Sequence, residues 1–185
     1  MCGRFILSKE IGEIIADEAY AMDFERIEPR YNIAPTQDIA VVLNDGKRAL
    51  TLARWGLIPS WAKDPAIGNR MINARAESLA EKPSFRVPLR RKRCLIFADG
   101  FYEWQTEPGR KRKQPFYLRL KSHKPFAFAG LWDRWQDPAG TPLTSCTIIT
   151  TGPNDLIAPI HDRMPVILPR DARAVCLAPE EQPPE

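Results

Sequence analysis

At 185 residues, with 44% hydrophobic and 27% charged residues, the chain fits one domain with one core. A chain of this size buries about two-thirds of the surface it exposes when unfolded, and its apolar content excludes wholesale disorder. Arg4, Lys9, Glu10 and Glu13 interrupt the start of the chain, and no long apolar run occurs anywhere, so neither a secretory leader nor a membrane-spanning helix is expected.

Cys2, Cys94, Cys146 and Cys176 form no Cys-x-x-Cys pair, and His123 and His161 are the only histidines. This points to a reducing cytoplasm, with no disulfide framework, structural metal or cofactor. The net charge of +4 is small, but its distribution is uneven. Arg86, Arg90, Arg91, Lys92 and Arg93 form one cluster and Arg110 to Lys113 another. Charge alone leaves two readings open, a polyanionic partner and a solvated loop face.

In chain order, Ser8 caps a short helix carrying Ile11, Ile14 and Ile15 at helical spacing. Strand-like runs follow at Ile39–Leu43, Ala49–Arg54, Cys94–Ala98, Phe116–Leu120, Phe126–Leu131, Cys146–Thr151 and Val166–Leu168. Asn44-Asp45-Gly46 joins the first two as a hairpin. Ala74–Ala80 and Asn154–Ala158 read as short helices, neither long enough to cover a parallel sheet. The expected fold is therefore α+β: a single β-rich domain over residues 1–168 with a curled, mostly antiparallel, barrel-like sheet. Residues 169–185, acidic and Pro-rich toward their end, read as a disordered tail.

The second position carries the most chemical information. Initiator methionine is trimmed when the next side chain is small, which leaves Cys2 as the first residue. An N-terminal cysteine holds a thiol and an α-amine on adjacent carbons, and an α-amine pKa of about 7.7 to 8.0 leaves a useful neutral fraction. Such a 1,2-aminothiol condenses with an aldehyde through nitrogen and then closes through sulfur to a thiazolidine. The same cysteine also fits an N-terminal amidase nucleophile, or a small buried hydrophobe. Gly3 permits close approach of a ligand, and Arg4 puts a fixed cation beside the nucleophile.

Three further segments each offer one polar group. Glu103, between Tyr102 and Trp104, suits a desolvated proton donor or acceptor. His161, beside Asp162 and Arg163, suits general acid/base work, and Asn73 can orient the α-amine or a sugar hydroxyl.

Taken together, Met1–Phe5, Arg30–Thr36, Trp55–Trp61, Asn73–Glu77, Gly100–Trp104 and His161–Pro165 resemble the motifs of the SOS-response-associated peptidase (SRAP) family in order and content. The resemblance implies a β-rich barrel-like fold and a sensor of abasic sites in single-stranded DNA and at junctions with duplex. Cys2 would form a thiazolidine DNA–protein crosslink, assisted by Asn73, Glu103 and His161. Arg4, Asn32, Pro35, Trp61 and Arg75 would line the nucleic-acid channel of a monomeric, cytoplasmic, nucleoid-associated protein. The resemblance also leads one to expect a longer closing segment after Leu168 than this sequence carries. A cysteine (auto)peptidase acting through Cys2 and a non-covalent single-stranded-DNA-binding protein are the competing readings; the basic and aromatic residues favour a groove over a peptide pocket.

Overall fold

The computed structural model describes residues 2–8, 20–23, 28–107, 109 and 111–182. The expected helix around Ile11, Ile14 and Ile15 lies outside them.

The centre of the molecule is a closed five-stranded mixed barrel. Strands β4 (Asp38–Leu43) and β5 (Ala49–Trp55) form the antiparallel hairpin announced by Asn44-Asp45-Gly46. Strand β7 (Arg93–Ala98) pairs with β4 and with β10 (Phe126–Gln136), and β10 pairs with β11 (Pro142–Thr151). The barrel closes where β11 meets β5 in parallel, Ser145 opposite Arg54 and Cys146 opposite Trp55. Strand β7 is buried at every position, so its sequence Arg-Cys-Leu-Ile-Phe-Ala runs on as apolar after the first residue instead of alternating.

A four-stranded sheet, in the order β3 (Arg30–Ile33), β1 (Phe5–Leu7), β8 (Gly100–Gln105), β9 (Gln114–Leu118), packs beside the barrel. Phe5 joins the two. Its ring meets Trp55 at 5.2 Å and Phe128 at 5.9 Å, both edge-on, in the shared core. Anchoring Phe5 there brings Cys2-Gly3-Arg4 to the same end of the core.

Two expected helices are different structures. The first begins inside β6 (Asn73–Arg75), which runs parallel to β11 with Asn73 opposite Ile148, and a single 3-10 turn, Ala76–Ser78, follows. Ala74 is buried in that ladder, and sheet pairing satisfies the backbone that helical propensity would have satisfied locally. Residues 155–160 form consecutive turns opened by Asn154, whose side-chain oxygen accepts from Ile157 N–H at 3.0 Å.

The basic run at 86–93 belongs mostly to an unforeseen helix, α1 (Pro83–Arg91). Pro83 starts it, Pro88 sits inside it, and Phe85 and Pro88 are buried while Arg86, Arg90 and Arg91 face solvent. Two prolines in nine residues masked the helical pattern.

The segment read as a disordered tail begins with another helix, α2 (Arg170–Cys176), and is folded through Gln182. Arg93, one of the residues of the basic cluster, is buried and holds this segment. Its guanidinium donates to the carbonyls of Cys176 (3.1 Å) and Glu180 (3.1 Å) and also to those of Ala178, Leu89 and Arg90. Arg91 adds an ion pair with Glu181 at 2.8 Å. A single planar cation satisfies carbonyls that no strand or helix partners, which composition alone does not reveal. Arg93→Ala should therefore cost roughly 2–4 kcal/mol in urea unfolding, with Arg93→Lys recovering less than half because an ammonium has three donors. Equal unfolding midpoints for wild type and Arg93→Ala would remove this role.

Candidate active site

The register of β1 and β8 builds the first half of the site. Phe5 lies opposite Phe101 and Ile6 opposite Gly100, and Tyr102 N–H donates to the Arg4 carbonyl at 2.9 Å. Continued by one step, this register sets Glu103 of β8 beside the chain that leads back to Cys2. Glu103 is 1% exposed and Cys2 fully buried.

Burial pushes the Cys2 thiol well above the usual thiol range, and the neighbouring Glu103 charge pushes it the same way. Burial likewise raises the Glu103 carboxyl, against the pull of nearby positive charge, His161 included. Glu103 thus stays protonated to higher pH than an ordinary carboxyl.

Strand β6 supplies the second half. The Asn73 amide nitrogen donates to the Cys2 carbonyl at 2.9 Å. That bond fixes the amide, and its oxygen is buried with no hydrogen-bond partner among the described residues. An orphan buried acceptor costs about 1–3 kcal/mol, so it calls for an explanation beyond folding. Beside the start of the chain, it is placed to accept from an N–H or O–H of a reacting group.

His161 closes the cluster, with Nε2 3.9 Å from Glu103 Oε2. Its Nδ1 lies 3.0 Å from Arg163 N–H and 2.8 Å from Asp162 Oδ1. One ring nitrogen cannot accept from the first and donate to the second at once. When Nδ1 accepts from the Arg163 N–H, a ring proton sits on Nε2, the nitrogen on the Glu103 side.

Glu77 and Arg163 stand within the motifs with no task evident from the sequence. Arg163 donates to both Glu77 carboxylate oxygens at 2.9 Å and to the Thr150 carbonyl at 2.6 Å. Its hydrogen bonds hold the Glu77 carboxyl below the usual carboxylate range. The fork ties the turn carrying His161 to β11 and to the turn after β6, so the placement of His161 depends on residues 86 positions apart.

The structure thus brings Cys2, Asn73, Glu103 and His161 together. Arg4 adjoins them, its guanidinium donating to the Gly3 carbonyl at 2.9 Å, and the exposed Arg75 follows Asn73 by two residues on β6. Asn32, Pro35 and Trp61 make none of these contacts among the described residues. Asn32 is exposed on β3, Trp61 is 60% exposed, and Pro35 lies in the turn 34–37. In that turn Thr36 has φ 72, a conformation that strains a β-branched residue by about 1–3 kcal/mol and is held by Thr36 N–H donating to the Trp55 carbonyl at 2.8 Å.

A model of the family described as SOS response associated peptidase (SRAP) matches residues 1–185. The chain belongs to the SRAP family. Among SRAP relatives it is 52% identical over 191 residues to the abasic site processing protein YoqW of Bacillus subtilis, covering 100% of this chain and 84% of that one. The mouse abasic site processing protein HMCES is 33% identical over 183 residues, which cover 79% of this chain and 52% of HMCES. A crystal structure of a Bacteroides thetaiotaomicron protein superposes with a TM-score of 0.89 at 28% identity, covering 98% of this chain and 83% of that one. A Bordetella bronchiseptica protein gives 0.80 at 25% identity, covering 97% and 89%. The SRAP fold agrees with the β-rich, barrel-like architecture expected from the strand pattern. Among the described residues, no helix is long and apolar enough to cross a membrane and no cluster of three or more His, Cys, Asp and Glu is placed to hold a metal ion.

Proposed function

We propose that this SRAP chain captures abasic sites in DNA, forming a covalent thiazolidine between the aldehyde of the opened sugar and Cys2 freed of Met1. The observation that carries this reading is the gathering of a buried carboxyl, a histidine and an orphan amide oxygen around the start of the chain. In this scheme the α-amine adds to the aldehyde carbon to give a carbinolamine. Glu103 supplies the proton with which the hydroxyl leaves as water, giving an iminium. Cys2 sulfur then adds to that carbon and its proton passes to the solvent or to Glu103. Asn73 Oδ1 accepts from the amine or a sugar hydroxyl, and His161 moves protons during ring opening or adduct reversal. The names of YoqW and HMCES support abasic-site processing as the reaction class.

A peptidase acting through the Cys2 thiolate is disfavoured by the same site, because burial and Glu103 hold the thiol protonated. The chain acts as a monomer on single strands and on junctions with duplex, within the cytoplasm and at the nucleoid. Arg4, Asn32, Pro35, Trp61 and Arg75 line its path for the strand.

The test is incubation with uracil-containing single-stranded DNA after glycosylase treatment, using protein whose Met1 is verified as removed. A protein–DNA band that survives heat and detergent is expected; its absence, with intact DNA controls, overturns the proposal.

Affinity for undamaged single-stranded DNA should fall as salt rises, with a log–log slope of about 0.7 per neutralised phosphate, and Arg75→Ala should flatten that slope by about one contact. Affinity that stays flat from low to physiological salt contradicts the basic groove.

A further inference from the structure

Trp61 is 60% exposed, yet the loop that carries it is held by three buried side chains of the barrel. The loop leaves β5 at Gly56, whose φ of +127 and contact with the Gly68 backbone suit glycine alone: a Cβ would lie 2.6 Å from the Gly68 oxygen. Ile58 N–H then donates to Ser145 Oγ at 2.8 Å, and Ser60 N–H to Asp133 Oδ2 at 2.8 Å. Trp135 Nε1–H donates to the Ala62 carbonyl at 2.7 Å. Asp133 and Ser145 face each other in the β10–β11 ladder, and Trp135 lies two residues further along β10. Trp61 therefore sits between two pinned residues.

Asp133 is the centre of this device. It is 4% exposed and accepts from Ser60 N–H with one oxygen, and from Lys92 Nζ at 2.6 Å and Arg134 N–H at 2.8 Å with the other. A buried carboxylate carries a desolvation cost that an apolar residue would avoid. Here one of its oxygens is given to the backbone of a surface loop whose most prominent side chain is an indole left largely in water.

We propose that Asp133, seconded by Ser145 and Trp135, is a positioning residue that presents Trp61 as a rigid platform on which an unpaired base of a single strand stacks. This rests on the reading of the chain as a single-strand-binding protein. Stacking on an aromatic face tolerates any base, because every base has a π-face, and a platform fixed in advance loses less freedom on binding than a mobile one. Asp133 touches no nucleotide in this scheme and acts through the loop.

The test uses the full chain with its five tryptophans labelled as 5-fluorotryptophan, the Trp61 resonance being assigned by Trp61→Phe. The probe is undamaged oligothymidylate, so its outcome is separate from crosslinking. Asp133→Asn removes an acceptor, and Trp135→Phe keeps a ring but deletes the donor to Ala62, giving a milder variant should the first fold poorly.

Both variants should shift the Trp61 fluorine resonance toward the position of free fluorotryptophan. Asp133→Asn should weaken oligothymidylate binding about 3–10-fold and Trp135→Phe about 2–3-fold, within the roughly 5–100-fold loss expected for Trp61→Ala. In the Trp61→Ala background Asp133→Asn should have no further effect. At saturating abasic DNA the capture rate constant should move less than the affinity.

An unmoved Trp61 resonance in both variants overturns the proposal, as does an Asp133→Asn effect that persists without Trp61. Wild-type protein that does not bind oligothymidylate overturns the stacking role, whereas wild type that binds it but leaves abasic DNA uncrosslinked overturns the capture chemistry alone.

Discussion

An uncleaved extension upstream of Cys2 should abolish both the heat-stable adduct and any borohydride-trapped adduct, whereas Cys2→Ala should abolish only the first. The difference follows from assigning separate tasks to nitrogen and sulfur. An extension converts the α-amine to an amide, whose nitrogen does not add to aldehydes, and the thiol that remains gives only a labile hemithioacetal. Cys2→Ala keeps the amine and still forms a Schiff base, which borohydride reduces or which breaks the strand by β-elimination. Nitrogen should act first because burial and Glu103 hold the thiol protonated, leaving little thiolate to attack the aldehyde directly. Processed wild type alone should give a crosslink that survives heat and detergent. A tagged chain that crosslinks equally well would refute the aminothiol mechanism and restore ordinary cysteine nucleophilic catalysis.

Glu103→Gln should slow adduct formation about 100- to 10,000-fold, the usual contribution of a positioned acid or base, while making the fold more stable near neutral pH. The two effects share one cause. Glu103 is buried, and burial raises its carboxyl above the ordinary value of 4.5. A carboxyl whose folded pKa exceeds its unfolded one favours folding most below the unfolded value, and that contribution is lost as pH rises through the folded value. Above its unfolded value wild type therefore bears the cost of holding this carboxyl in a site that favours its protonated form, and glutamine does not. The melting temperature of Glu103→Gln should exceed that of wild type at pH 7 to 8, with the gap closing as pH falls toward 4.5. A single-turnover rate equal to wild type would reduce Glu103 to a packing residue; a variant less stable at all pH values would show that its hydrogen bonds outweigh its desolvation.

Much of this site is legible in the sequence because its groups travel in short, ordered motifs. Cys2 announces itself by position, and Glu103 by the aromatic residues beside it. The elements are less evenly legible. β4, β5, β7, β10 and β11 show as apolar runs because the barrel buries them along most of their length. Strands β1, β3 and β6 are only three or four residues long and take their conformation from partners far away in sequence, so local pattern carries no signal for them. Helix α1 was hidden by its two prolines. The fate of the 170–182 segment depended on Arg93, whose task is invisible in a run of basic residues.

The sequence by itself determined the β-rich class, the hairpin at Asn44-Asp45-Gly46, the family and the chemical types available to the site, since each depends on residue identity or short spacing. Only the tertiary structure decided that Asn73 holds the Cys2 carbonyl and keeps a bare oxygen, that His161 faces Glu103, and that Arg163 ties the His161 turn to Glu77. These contacts join residues separated by between 58 and 86 positions. Such pairings arise when strands register across a closed barrel, where burial of the whole apolar set selects one arrangement and no local preference encodes it.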